Sequence, residues 1–550
     1  MLSIPNFTLK LKNYKWFYKI QLNMNIYIEN PNTKFYKLGI GIFFLVIVML
    51  FTIFGLGDTP HTTFLAFVAV VGGYMAMNIG ANDVANNVGP AVGSKALTLT
   101  GAIIIAIIFE ASGALIAGGD VVSTIKKGII DPKLIIDTSI FVWVMFSALL
   151  GGAIWLNLAT ALGAPVSTTH SIVGGIMGAA IASSGWELVN WGMMTKIAAS
   201  WVISPVLGGL IAALFLYIIQ DRIFHKDETL EAAKKIVPIL IAIMSCAFVI
   251  YLALKGIKKL IKLDITTAIF IGIISGVITY VIVKPLIKKS SQSLSNKKDD
   301  INTLFTLPLI FAAALLCFAH GANDVANAIG PVAAIYEALQ TGLIAKKAAI
   351  PLWIMVVGAI GIAVGLATYG PKLIKTVGSE ITDLDQGRAW SIAMSSAIVV
   401  IIASWLGLPV SSTHIAIGGV FGVGYLRYYL YQRYENEIEG VKAHHVESIK
   451  KKLTKWDNKL TKLETEVEKE QLLDKIKLKQ QELEMMETSG EVDFTKKEKK
   501  KVAKINRKQY VRKGMLARII AAWLVTVPMS ALIGGSLYYI FVNLLKLQIT

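Results

Sequence analysis

Long apolar runs separated by short polar segments set the character of this chain. Residues 37–57 (KLGIGIFFLVIVMLFTIFGLG) and 235–256 (KIVPILIAIMSCAFVIYLALKG) are each about 20 residues long, enough to cross a hydrocarbon core as a helix. The same reading along the chain predicts about 12 such segments, several short or broken by Gly and Pro. The expected fold is therefore an all-α polytopic membrane protein, which excludes a single-span receptor or anchored enzyme.

Composition supports this pattern: of 550 residues 55% are hydrophobic and 16% charged, with a mean hydropathy of +0.61. The net charge of +18 resembles a nucleic-acid footprint only until its placement is considered, because Lys and Arg lie between the apolar runs. The positive-inside rule accounts for them, and no nucleic-acid partner is expected. Residues 1–36 carry Lys10, Lys12, Lys15, Lys19 and Lys34 against Glu29, so this tail is placed in the cytoplasm, followed by an extra transmembrane helix at 37–58. A polar tail ahead of the first apolar run argues against a cleavable signal peptide. The expected location is a cell (inner) membrane, with lipid as the surrounding partner. Cys246 and Cys317 both sit in apolar runs, which predicts neither a disulfide framework nor a thiolate metal site.

The polar positions then show a repeat. GANDVANNVGP from Gly80 and GANDVANAIGP from Gly321 share nine of eleven residues. GAPVSTTH from Gly163 and GLPVSSTH from Gly407 share six of eight, 83 and 86 residues downstream of the first motif. A weaker third pair starts at Trp201 and Trp523. Two motifs in the same order at nearly equal spacing mean a duplicated unit, and such repeats in a polytopic chain mark a secondary transporter. The predicted organisation is repeat 1 at 60–220, connecting helices and loops at 221–302, the first part of repeat 2 at 303–432, an insert at 433–513, and the last helix of repeat 2 at 514–547. Trp201 lies 31 residues after His170 but Trp523 lies 109 after His414, so the insert adds about 78 residues if the repeats were once equal. Within it Val446, Ile449, Leu453, Trp456, Leu460, Leu463 and Val467 form a heptad seam that predicts an amphipathic cytoplasmic helix pairing with another helix. A solvated helix on its own domain, a regulatory or dimerising coiled coil, and anionic-lipid attachment through 496–513 are the readings open for it.

Ionisable residues inside spans line ion or substrate paths more often than they serve packing. Gly80, Gly321, Gly89-Pro90 and Gly330-Pro331 predict helix interruptions there. Asp83, Asn86, Asp324 and Asn327 are candidate cation ligands, and Asn82 and Asn323 add hard oxygens to a Na⁺ site with the two aspartates. Helix capping by these Asn and Asp is the structural alternative. In the second motif, Ser167, Thr168, Thr169 and Ser411, Ser412, Thr413 place hydroxyls beside the free N–H groups of new helices, which suits a tetrahedral oxyanion. Back-bonding to their own helices is the competing reading. His170 and His414 fit packing or hydrogen bonding at the site rim, with no transition metal expected. His320 stands where the first copy has Ile79 and reads as a local packing difference. Glu110, flanked by apolar residues, is a candidate for proton carriage or cation attraction.

At both GANDVAN copies and both PVS(T/S)TH copies the chain resembles the inorganic phosphate transporter (PiT) family, over about residues 60–432 and 513–547. The resemblance implies two inverted repeats with broken helices, a homodimer, and phosphate symport with Na⁺ or H⁺. It assigns Asn82, Asp83, Asn323 and Asp324 to cation and phosphate, and Ser167, Thr168, Ser411 and Ser412 to phosphate. FEASGALIAGG with Glu110 also resembles a family segment in which the glutamate matters for transport. Sodium-coupled animal members carry a second glutamate ahead of the second hydroxyl motif, where this chain has Ala393. Na⁺ is favoured slightly over H⁺ as coupling ion, and no other cofactor is expected. The alternatives are a sulfate or other oxyanion permease on the same scaffold, or a phosphate sensor signalling through the insert. No P-loop, nucleophile–base motif or metal cluster suggests an enzyme.

Overall fold

The computed structural model describes residues 31–57, 61–135, 137–256, 263–342, 344, 350–380, 384–460, 465–489 and 513–547. Among them the only regular structure is helical, apart from one isolated bridge between Ile130 and Val189. Eleven helices of the described residues are long and apolar enough to cross a membrane. The polar tail before residue 31, Leu463, the side chain of Val467 and most of 496–513 lie outside the described residues.

The first half runs through α1 (Pro31–Gly55), α2 (Thr62–Asn82), α3 (Val84–Gly93), α4 (Leu99–Ala117) and α5 (Gly119–Lys127). A helical hairpin follows, α6 (Thr138–Ala161) and α7 (Thr168–Ser184), and then α8 (Trp191–Ile219). The pair α9 (Thr229–Tyr251) and α10 (Ile265–Ser290) connects the halves, followed by short α11 (Lys298–Thr303). The second half contains α12 (Thr306–Thr341), α13 (Leu352–Glu380), and a second hairpin of α14 (Gln386–Trp405) and α15 (Ser412–Leu460). It closes with α16 (Glu466–Ser489) and α17 (Lys513–Tyr538).

Lipid is the solvent for much of this surface. On α10, Phe270, Val277 and Val281 are each more than half exposed, a display that no aqueous surface of this extent would tolerate. Polar contacts turn inward instead, as where Ser245 of α9 meets Ser275 of α10 at 2.9 Å.

The helix interruptions fall elsewhere than the glycines suggest. Only Asp83 separates α2 from α3, and it keeps helical dihedrals (φ −85°, ψ −34°), while α12 runs unbroken through Gly321 and Gly330-Pro331. These glycines permit close approach rather than unwinding. A Cβ at Gly80 would lie 1.9 Å from Ile362 O, and one at Gly321 would lie 2.2 Å from Glu110 O. True breaks occur at the two hairpin turns, where Gly163 (φ +72°) and Gly407 (φ +70°) adopt a left-handed conformation that favours glycine. Pro165 and Pro409 follow and pre-set the chain for the next helix.

The hairpins approach from opposite ends of α12. Hairpin 1 starts beside the C-terminal, upper end of α12, where the Thr138 hydroxyl donates to Gly342 O at 3.0 Å. Hairpin 2 starts at the lower end, where Asp385 lies 3.7 Å from Lys298 of α11. Both return helices cross a supporting helix at glycine contacts: α7 meets α17 at Gly175 and Gly534, and α15 meets α8 at Gly422 and Gly209. Beyond the membrane core α15 continues to Leu460, where Ile449 and Leu453 pack against Leu472 and Ile476 of α16, with Val446, Trp456 and Leu460 beside them. The heptad seam thus closes an antiparallel hairpin within its own chain.

Candidate functional site

The two hairpin turns meet the middle of α2–α3 and α12, and both asparagines at the start of the motifs hold those turns. Asn82 Nδ2 donates to Thr160 Oγ1 (2.8 Å) and Ala164 O (3.2 Å), and its Oδ1 accepts from Val166 N (3.1 Å). Asn323 repeats this in the other half, donating to Ser404 Oγ (3.0 Å) and Leu408 O (3.2 Å) and accepting from Val410 N (3.3 Å). A turn buried in protein has free backbone groups to satisfy, and one amide side chain serves each. These two asparagines therefore brace the site, and their polar atoms are engaged with the turns.

Ser167 and Ser411 take the N-cap positions, their hydroxyl oxygens accepting from His170 N (3.1 Å) and His414 N (3.2 Å). The next hydroxyls face the aspartates. Thr168 Oγ1 donates to Asp83 Oδ2 at 2.6 Å and lies 3.4 Å from Asp324 Oδ2, so one hydroxyl stands between both carboxylates. Thr413 Oγ1 lies 3.2 Å from Asp83 Oδ1, and Ser412 Oγ lies 3.4 Å from Asp324 Oδ2.

Contacts cross between the halves in matched fashion. Asn86 of the first half donates to Thr413 Oγ1 (2.8 Å), and Asn327 of the second donates to Thr168 Oγ1 (3.2 Å) and Thr169 Oγ1 (3.1 Å). Thr169 Oγ1 itself donates to Val410 O at 2.9 Å. Asp83, Asp324 and all six hydroxyl residues are at most 2% exposed, so the arrangement is closed to solvent. Around it, four buried oxygens accept no hydrogen bond from the described residues: Asn86 Oδ1, Asn87 Oδ1, Asn327 Oδ1 and Asp324 Oδ1. Such hard oxygens around two carboxylates are the donor type that hard cations take.

One participant was not legible as such in the sequence. His320 lies wedged between carboxylates, with Nδ1 2.7 Å from Glu110 Oε2 and Nε2 2.9 Å from Asp324 Oδ2. Asn87 donates to Glu110 Oε1 at 2.8 Å. Packing alone does not describe His320, which links Glu110 to the central pair. Both residues break the repeat, Asn87 standing against Ala328 and His320 against Ile79. That departure from internal symmetry was the available signal. Asp83, His320 and Asp324 offer ligand atoms within 4.8 Å of one another, a possible metal set. The set offers two hard carboxylates and an imidazole, and no thiolate.

The third sequence pair also finds its place. His170 stacks on Trp201 with centroids 3.8 Å apart, His414 on Trp523 at 3.7 Å, and the two imidazoles meet edge-on at 4.4 Å. This four-ring stack ties the hairpin helices to α8 and α17, the rim packing expected from sequence.

Comparison with known proteins agrees with this geometry. A family model described as "Phosphate transporter family" matches residues 79–534. A Helicobacter pylori protein named "Putative phosphate permease" is 49% identical over 514 residues, covering 91% of this chain and 94% of its own. A relative from Thermococcus kodakarensis with the same description is 41% identical over 364 residues, covering 66% of this chain and 89% of its own. A solved structure described as "The sodium-dependent phosphate transporter" superposes with a TM-score of 0.69 at 30% identity, covering 88% of this chain and all of that one. On the motifs, the enclosed site and these matches together, the chain belongs to the phosphate transporter family.

Proposed function

We propose that this protein imports inorganic phosphate by symport with a cation, Na⁺ ahead of H⁺, through alternating access of two inverted halves. The observation that carries this reading is the placement of the Thr168, Ser412 and Thr413 hydroxyls, at the starts of α7 and α15, against the two carboxylates. Their hydroxyls now point at Asp83 and Asp324. With both carboxylates uncompensated, a phosphate anion would meet like charge at close range. A cation held by Asp83, Asp324, Asn86 and Asn327 neutralises that charge and takes over the carboxylate oxygens. The hydroxyls then turn to donate to phosphate, together with the N–H groups at the starts of α7 and α15. Cation and anion therefore bind better together than apart, which is the coupling that a symporter requires.

Approach of the hairpins from opposite ends supports alternating access, because each half can part from the shared site at its own end while the other stays closed. The structural relative is described as sodium-dependent, and this favours Na⁺. The test is labelled phosphate uptake into proteoliposomes of the purified protein, with Na⁺ and H⁺ gradients imposed separately. Uptake driven by Na⁺ alone is the expected result. Uptake driven only by H⁺ would replace the coupling ion, and uptake driven by neither would overturn symport.

A further inference from the structure

A second pair of opposite charges lies buried away from the centre. Glu337 extends from α12 about 20 Å beyond Asp324, toward the upper end, at 1.5 Å per residue. It forms an ion pair with Lys126 of α5, and both side chains are 6% exposed. Two residues earlier, the Thr124 hydroxyl donates to Gly407 O at 2.7 Å, on the turn that leads into Ser411–Thr413. Short α5 is thus fastened both to α12 and to the turn of hairpin 2. On the same short helix Val121, Val122 and Ile125 are buried, Ile125 over Gly330 of α12, on the stretch between Glu337 and Asp324. Gly118 and Gly119 join α5 to α4, and a Cβ at Gly119 would meet open space.

Breaking a buried ion pair by removing one partner leaves the other charge uncompensated and is strongly unfavourable. An anion arriving alone at Lys126 competes with Glu337 for it. A cation arriving alone at Glu337 competes with Lys126 in the same way. An anion and a cation arriving together can exchange partner for partner, so that the pair's two charges stay compensated. Resting on the phosphate-symport reading above, we propose that Lys126–Glu337 is an ion-exchange gate, with Lys126 an outer subsite for the oxyanion and Glu337 an outer subsite for its coupling cation. Exchange removes the charged fastening of α5 to α12, and hinging at Gly118-Gly119 then moves Val121, Val122 and Ile125 away from α12. The exchange is wholly non-covalent, and it makes co-transport a condition of access as well as of central binding.

The test measures initial rates of labelled phosphate uptake against phosphate concentration, at several concentrations of the driving cation, in proteoliposomes. Wild type is compared with the neutral pair Lys126→Gln/Glu337→Gln and the exchanged pair Lys126→Glu/Glu337→Lys, each checked by gel filtration and thermal melting. In the wild type, KM for phosphate should fall as the cation rises. The neutral pair should raise that KM about tenfold and flatten its dependence on the cation. The exchanged pair should melt as the wild type does while its KM stays raised, because each subsite now faces the wrong ion. Wild-type KM in either variant would overturn the gate and leave the pair a structural strut. If the neutral pair fails to fold, the exchanged pair decides alone by the same criterion. Absence of uptake by the wild type under every gradient would show first, and would remove the symport reading itself.

Discussion

His320 Nδ1 lies 2.7 Å from Glu110 Oε2, and this contact marks the point where the two halves stop being alike. Gly321 packs on Glu110 O as Gly80 packs on Ile362 O, so Ile362 is the counterpart of Glu110. Ile79 and Ala328 are the counterparts of His320 and Asn87. One half thus holds a polar unit of three buried side chains where the other holds three apolar ones. Replacing a buried ionic unit with well-packed apolar groups of similar volume is often neutral or stabilising by about 1–4 kcal/mol. The triple variant Asn87→Ala/Glu110→Ile/His320→Ile should therefore melt no lower than the wild type while losing phosphate uptake. Retained uptake would make the unit an architectural accident.

Asp83→Asn and Asp324→Asn remove one charge each from the proposed cation site. Charge-assisted contacts of this kind contribute about 1.5–3 kcal/mol apiece. Each variant should lose uptake about 100-fold at limiting cation, and excess cation should recover part of it. Uptake assays across a cation series would show this, and unchanged rates would contradict the site.

Asn82→Ala and Asn323→Ala act on architecture. Each removes two donated bonds and one accepted bond at a buried turn, with typical costs of about 1 kcal/mol per bond and more where a partner is left unsatisfied. Melting in detergent should fall by several degrees for both variants. An undisturbed melt with a raised phosphate KM would instead make these amides ligands.

Trp201→Ala and Trp523→Ala take away the ring on which each motif histidine stacks. Large-to-small changes of this size cost about 3–5 kcal/mol in a packed setting. Both should lower the melting temperature by similar amounts, since the contacts are near-equal at 3.8 and 3.7 Å. Strongly unequal losses would mean that the two stacks differ in role.

The insert closes on itself through Ile449, Leu453, Leu472 and Ile476, and the shorter Thermococcus relative matches 66% of this chain with 89% of its own. Replacing 441–510 with a short Gly-Ser linker should leave phosphate uptake within about twofold, the range of ordinary surface changes. Complete loss of uptake would tie the insert to the transport cycle.

Apolar runs of about 20 residues, the duplicated motifs and the heptad seam were readable one residue at a time, because periodicity and repetition are local properties of a chain. They determined an all-helical membrane protein, the paired Asp83 and Asp324, the hydroxyl runs, and an insert that pairs helix with helix. Tertiary structure decided what those residues touch. Gly321 looked like a helix breaker but allows contact with Glu110 O, because spacing carries no record of what packs opposite a missing side chain. Asn82 read as a ligand, and only the fold shows that it also braces a turn 82 residues away at Ala164 O. His320 looked like packing until Glu110, 210 positions earlier, came within hydrogen-bond reach. Lys126 and Glu337 gave no motif at all, since a buried ion pair exists only once two distant helices meet and exclude water.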